Sequence, residues 1–157
     1  MLQNSTSIDE LYGALVAAGK CGYVELRAVV EPLLAHRSPD IRAGAIQALA
    51  FFWKVPDYRE KVFAFYENDP DPEVQGWALT AWAGYRECSH DREALHTLWS
   101  ILRDLSKTIE ARDSAYRGIL AITCVPAPAW KLVYPNIDSI DWDKIRALLR
   151  AAGAIAE

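Results

Sequence analysis

"SPDIRAGAIQALAFF" (Ser38–Phe52) and "DPEVQGWALTAWAGY" (Asp71–Tyr85) are built on one skeleton. Aligned on Ile41 and Val74, both carry apolar residues at i, i+4, i+7, i+8 and i+11. In the first these are Ile41, Ala45, Ala48, Leu49 and Phe52; in the second, Val74, Ala78, Ala81, Trp82 and Tyr85. A third copy follows at Ala111, Ala115, Gly118, Ile119 and Ile122. The spacing is that of one helix face, repeated after 33 and then 37 residues. Such a period marks stacked helical repeats: a helix pair cannot bury its apolar side alone, and a neighbour covers it.

A further apolar pattern precedes each copy. Leu26, Val29, Val30, Leu33 and Leu34 come before the first. Val62, Phe63 and Tyr66 precede the second, and Leu95, Leu98, Trp99, Leu102 and Leu105 the third. "HRSPD", "NDPDP" and "LSKT" supply the turns between partners. Ser38 and Asp71 read as N-caps, each followed by proline and then an acid. Asp40, Glu73 and Glu110 fall in first turns, where the helix dipole favours negative charge.

The ends differ from the middle. Ser7 and Glu10 form a capping box for a helix running to about Gly19. The prolines of "VPAPAWKLVYPN" predict a loop, leading to a last helix near Asp141–Ala152 with Ile145, Leu148 and Leu149 as its apolar side. Both outer helices are expected to cap the stack. No convincing strand alternation occurs. The expectation is one domain over 1–157: a cap at 8–19, repeats at 23–53, 57–87 and 91–123, and a loop with a second cap at 125–157.

At 157 residues the chain can bury a sizeable core without a metal or disulfide framework. Hydrophobic residues make up 52% and charged residues 24%, as in an average globular protein. No apolar run is long enough to span a bilayer, and "MLQNSTSIDE" lacks the features of a secretory signal, so a cytoplasmic protein is expected. Cys21, Cys88 and Cys124 are odd in number and lack CxxC spacing, so unpaired thiols are expected. With 17 Lys and Arg against 21 Asp and Glu, the net charge of −4 points away from phosphate-tracking and toward basic partners.

"EPLLAHRSPDIRAGAIQAL" resembles a HEAT-like repeat: proline and leucines, a Pro/Asp turn, a hydrophobic–Arg pair, then small residues at fixed steps. "FYENDPDPEVQGWALTAW" is similar, with Gln75 in place of the arginine. "LRDLSKTIEARDSAYRGIL" keeps Ala111-Arg112 and loses the Pro/Asp turn. The resemblance covers about Tyr23 to Thr123. It implies an all-α, right-handed α-solenoid of about three helix pairs with capping helices at both ends. It also implies an arc whose second helices line the hollow, the usual binding surface of solenoids.

At about 100° per residue, the positions opposite the core stripe are Asp40, Gln47, Phe51 and Lys54, then Glu73, Thr80 and Glu87, then Glu110, Asp113 and Arg117. Five acids against two bases make this face acidic-leaning. Trp53 and Trp130, off the core stripes, are further candidates for contact with a partner.

No catalytic constellation stands out. Neighbours in "CSHD" (Cys88–Asp91) rarely face each other as nucleophile and base must. Glu93 and His96 have E-x-x-H spacing without partner carboxylates. No phosphate loop, dinucleotide fingerprint or HExxH motif occurs. The reading is therefore a non-enzymatic protein-binding scaffold without cofactor. Its finer form is an immunity or inhibitor protein that neutralises a basic toxin. The alternatives are a DNA-binding enzyme similar to HEAT-like alkylpurine DNA glycosylases, or a HEAT-like chromophore lyase subunit.

Overall fold

The structure, a computed structural model, describes residues 7–126 and 140–156. Among these the ordered elements are all helical. The chain divides into two compact units, residues 1–81 and 82–157.

In the first unit, α1 (Ile8–Cys21) opens with the expected capping box: Ser7 Oγ accepts the Glu10 N–H at 3.1 Å, and the Glu10 carboxylate accepts the Ser7 N–H at 3.0 Å. The helix expected over Leu26–Leu34 is broken. A 3-10 turn (Val24–Leu26), α2 (Arg27–Val30) and a second 3-10 turn (Glu31–Ala35) replace it. Pro32 lacks an N–H and its ring crowds the preceding turn, so α winding cannot run through it. The apolar phase is lost as a result. Val30 is buried, whereas Leu26 and Val29 are exposed, Val29 at 67%.

The stripe of the first repeat lies on α3 (Pro39–Ile46), which widens into a π-helical segment, Gln47–Phe52. There the Trp53 N–H reaches back to the Ala48 carbonyl at 3.0 Å. Ile41, Ala45, Ala48 and Leu49 are fully buried with Leu15, Val30 and Val55. The contact with α1 is close: a Cβ on Gly19 would stand 2.6 Å from the Phe52 ring and 3.2 Å from the Ala48 Cα. After α4 (Tyr58–Lys61) and α5 (Phe63–Asn68) comes α6 (Pro72–Gly84), on which Val74, Ala78 and Ala81 are buried. Asp71 caps α6 as expected, its Oδ1 accepting the N–H groups of Glu73 and Val74. Ser38 does not cap α3: its hydroxyl donates to the Asp40 carboxylate at 3.2 Å.

One polar position recurs through the repeats. Arg42 donates to the His36 carbonyl, Gln75 to the Asp69 carbonyl and Arg112 to the Leu102 carbonyl, at 3.0, 2.7 and 3.0 Å. Each ties a second helix to the end of the helix before it. The reach is six residues in the first two copies and ten in the third, matching the longer last repeat step. Arg42 also holds Asp69 through two 2.8 Å hydrogen bonds, with the two side chains 13% and 6% exposed.

In the second unit, α7 (Arg92–Arg103) and α8 (Ile109–Ile122) pack side by side. Asp91 caps α7 and Thr108 caps α8. Leu95, Leu98 and Leu102 on α7 and Ala111, Ala115, Ile119 and Ile122 on α8 are all buried. Leu105 lies beyond the end of α7 and is 81% exposed, so it does not extend the stripe. Gly118 permits the helix contact, since a Cβ there would meet Ala83 Cβ and Leu98 Cδ1, each at 2.9 Å. The last helix, α9 (Trp142–Ala151), buries Ile145 and Leu149, and Trp142 meets the Trp99 ring edge-on at 6.2 Å.

The expectation of three unpaired thiols fails: Cys88 and Cys124 form a disulfide, and Cys21 is free. The pair is 36 residues apart in sequence, which hid it. The fold joins the two because the N–H groups of Cys88 and His90 donate to the Ala121 and Ile122 carbonyls at 2.9 and 3.1 Å, seating this turn on the end of α8.

Two measurements check this packing. Gly118→Ala is expected to lose about 1–3 kcal/mol in urea unfolding, because the added methyl overpacks a filled contact. Gly84→Ala, where a Cβ would meet nothing within 4 Å, is expected to leave stability level or raised. Asp69→Asn, which strands Arg42, is expected to cost about 3 kcal/mol near neutral pH. Burial alone would raise the Asp69 pKa, but the Arg42 hydrogen bonds and charge and the Asp71 N–H hold it below its ordinary value. Its contribution is therefore full above the ordinary carboxylate range and is lost as pH falls through the lowered folded pKa. The stability gap between wild type and Asp69→Asn should hold above about pH 5 and shrink below about pH 4.

Candidate functional site

The ten candidate positions fall into three groups. Asp40, Glu73 and Glu110 are exposed at the starts of α3, α6 and α8, and none enters an ion pair among the described residues. Each extends from the first turn of a second helix, a register set by the turn before it. The dipole at that end favours a carboxylate.

A second group is tied up inside the protein. Gln47 is 2% exposed and is not a surface residue. Its Nε2 donates to Tyr12 Oη at 3.1 Å, because α1 covers the side of α3 that a single-stripe reading leaves open. Phe51 is half-buried against Phe52 and Trp77, with ring centroids 5.1 and 5.8 Å away. Asp113 and Arg117 bind each other at 2.7 Å along α8, so much of their charge is neutralised within the helix. The third group is simply peripheral: Lys54 and Glu87 are exposed and Thr80 is half-buried.

The other motifs resolve in the same way. Cys88 of "CSHD" is in a disulfide and has no thiol to act as nucleophile. Glu93 and His96 are exposed in an open groove of about 590 Å³, shared with Arg92, Thr97, Gly153 and Ala154. Among the described residues no group of three or more His, Cys, Asp or Glu could hold a metal ion. Trp53 is half-buried and donates its indole N–H to the Ala18 carbonyl at 3.2 Å, so its polar end serves the fold. Trp82 and Trp99 are buried, with the Arg86 and Arg103 guanidinium groups over their rings at 4.2 and 4.9 Å. Trp130 lies outside the described residues.

The helical pattern missed one surface. Tyr23, Val24, Leu26 and Val29 are all exposed in the broken segment before α3. Pro32 was the available signal, since an interrupted helix cannot keep one apolar face.

The model of the family described as HEAT repeats matches residues 26–119, more than half of the chain. The chain belongs to the HEAT repeat family. Neither the curated proteins nor the solved structures contain a match. This HEAT repeat protein is accordingly of the α-solenoid class, and proteins of that class generally serve as protein-interaction scaffolds rather than catalysts. None of its helices among the described residues is long and apolar enough to cross a membrane.

The buried Gln47–Tyr12 bond gives a direct check on the corrected assignment. Tyr12→Phe leaves the Gln47 amide without this partner, and urea unfolding is expected to show a loss of about 1–2 kcal/mol. A surface Gln47 would show no loss.

Proposed function

We propose that this HEAT repeat protein is a non-catalytic scaffold that recognises a basic protein through the carboxylates at the starts of its second helices. The observation that carries this reading is the recurrence of Asp40, Glu73 and Glu110 at one register position, exposed and without an ion pair among the described residues. Exposed carboxylates of this kind speed the encounter with a cationic surface and reject anionic ones. The net charge of −4 acts in the same sense. Neutralisation of a basic toxin is the finer form of the proposal, and it needs no cofactor. Among the candidate residues five carboxylates stand against two cations, one of which, Arg117, is paired with Asp113, a balance that disfavours a phosphate-tracking role. The cytoplasmic reading meets the Cys88–Cys124 bond, because disulfides persist mainly in oxidising compartments.

Capture from host lysate, with and without nuclease treatment, tests the proposal, comparing wild type with an Asp40→Asn, Glu73→Gln, Glu110→Gln variant. The expected result is a basic protein bound near one-to-one, with at least a tenfold loss of binding in the variant at unchanged helicity. Equal binding by the variant, or partners that disappear on nuclease treatment, would overturn it.

A further inference from the structure

We propose that the Cys88–Cys124 bond is a site of thiol–disulfide exchange, opened by a dithiol reductant and closed by a small-molecule disulfide such as oxidised glutathione, which is reduced to two thiols as the bond re-forms. Three observations carry the inference.

The first is access. Both cysteines are exposed, so an attacking thiolate can reach the bond without unfolding a core. A disulfide enclosed in packed side chains would be shielded from such attack.

The second is what the bond holds. It fastens the turn before α7 to the end of α8, alongside the Cys88 N–H to Ala121 and His90 N–H to Ile122 hydrogen bonds. Asp91, the residue that caps α7, follows directly, and its Oδ1 accepts the N–H groups of Glu93 and Ala94. The clasp therefore sits where one helix begins and the other ends.

The third is backbone conformation. Among the described residues, the non-glycine residues with left-handed φ are Lys54, Cys88, His90 and Cys124, at 47°, 55°, 54° and 61°. Three of these four belong to the clasp. Such conformations are costly for residues with a side chain and persist where the surroundings over-determine them. The cross-link is one of those determinants, beside the backbone hydrogen bonds of Cys88 and His90 and the Arg86–Asp91 ion pair at 3.5 Å.

The exchange balances. A thiolate of the dithiol attacks one sulfur, forming a mixed disulfide and expelling the other cysteine as a thiolate, which takes up a proton. The second thiol then attacks the mixed disulfide and releases the remaining cysteine. Two electrons and two protons pass to the protein, and the dithiol ends as a cyclic disulfide.

The test uses the full chain carrying Cys21→Ser, so that the exposed free thiol does not react. After equilibration with oxidised glutathione, alkylation in denaturant should modify no cysteine; after millimolar dithiothreitol without denaturant, it should modify both. Amide hydrogen exchange at Cys88 and His90 is expected to rise at least tenfold on reduction. The Tm should fall by roughly 10 °C, the size expected for opening a loop of this length. Because wild-type cysteines are reduced in place, the result does not depend on a variant of the clasp folding. Two free thiols after oxidation would overturn the proposal. So would a bond that yields to dithiothreitol only in denaturant, or reduction without change in exchange.

Discussion

Residues 43–50 of the second helix in the first repeat are buried without a break, and the first unit is arranged to make that possible. A helix covered on all sides needs neighbours around its circumference and side chains small enough to admit them. Alanine and glycine occupy five of these eight positions. Gly19 lets α1 lie against Ala48 and Phe52. Any polar group in such a helix must find an internal partner, and Gln47 finds Tyr12. A repeat of this kind buries more than one stripe, so a position opposite the stripe is not automatically a surface position.

The polar position after the first core residue of each second helix adds direction to that packing. Arg42, Gln75 and Arg112 all donate to a carbonyl at the end of the preceding helix. The end of a helix leaves carbonyls unsatisfied, and a side chain rising from the next helix meets that need. The longer turn in the third repeat keeps the same bond by lengthening its reach from six residues to ten. Gln75 keeps the carbonyl bond without a charge. Arg42 adds the bidentate pair with Asp69, a nearly dry contact between successive turns of the first unit.

The second unit adds a further device at the end of α8. The carbonyls of Ala121 and Ile122 at the end of α8 are met by backbone N–H groups of Cys88 and His90, and a disulfide fastens the two segments. The acids at the helix starts take little part in holding either unit together. Their charge is therefore available for recognition, which is why the proposed function rests on them and not on Gln47, Phe51 or the Asp113–Arg117 pair.

Much of the fold was legible in the sequence because helix packing writes a period into it. The stripes beginning at Ile41, Val74 and Ala111 are buried as expected apart from the half-buried Phe52 and Tyr85, and Ser7 and Asp71 cap their helices as expected whereas Ser38 does not. These signals are local: they depend on a few neighbours along the chain and on the geometry of one helix. The candidate site was legible only in part. Asp40, Glu73 and Glu110 are exposed because the first turn of a helix projects into solvent next to a polar turn. Gln47 was misplaced because its burial depends on α1, some thirty-five residues away. The break at Pro32 could be read from residue type, but which apolar side chains it would leave in solvent could not. The Cys88–Cys124 pair left no trace in spacing, since its ends meet only after α7 and α8 have packed. By itself the sequence determined periodicity, capping and net charge, which are properties of short stretches. Tertiary structure decided which side chains stay in solvent and which distant groups bond, because those depend on what packs across the helix rather than along it.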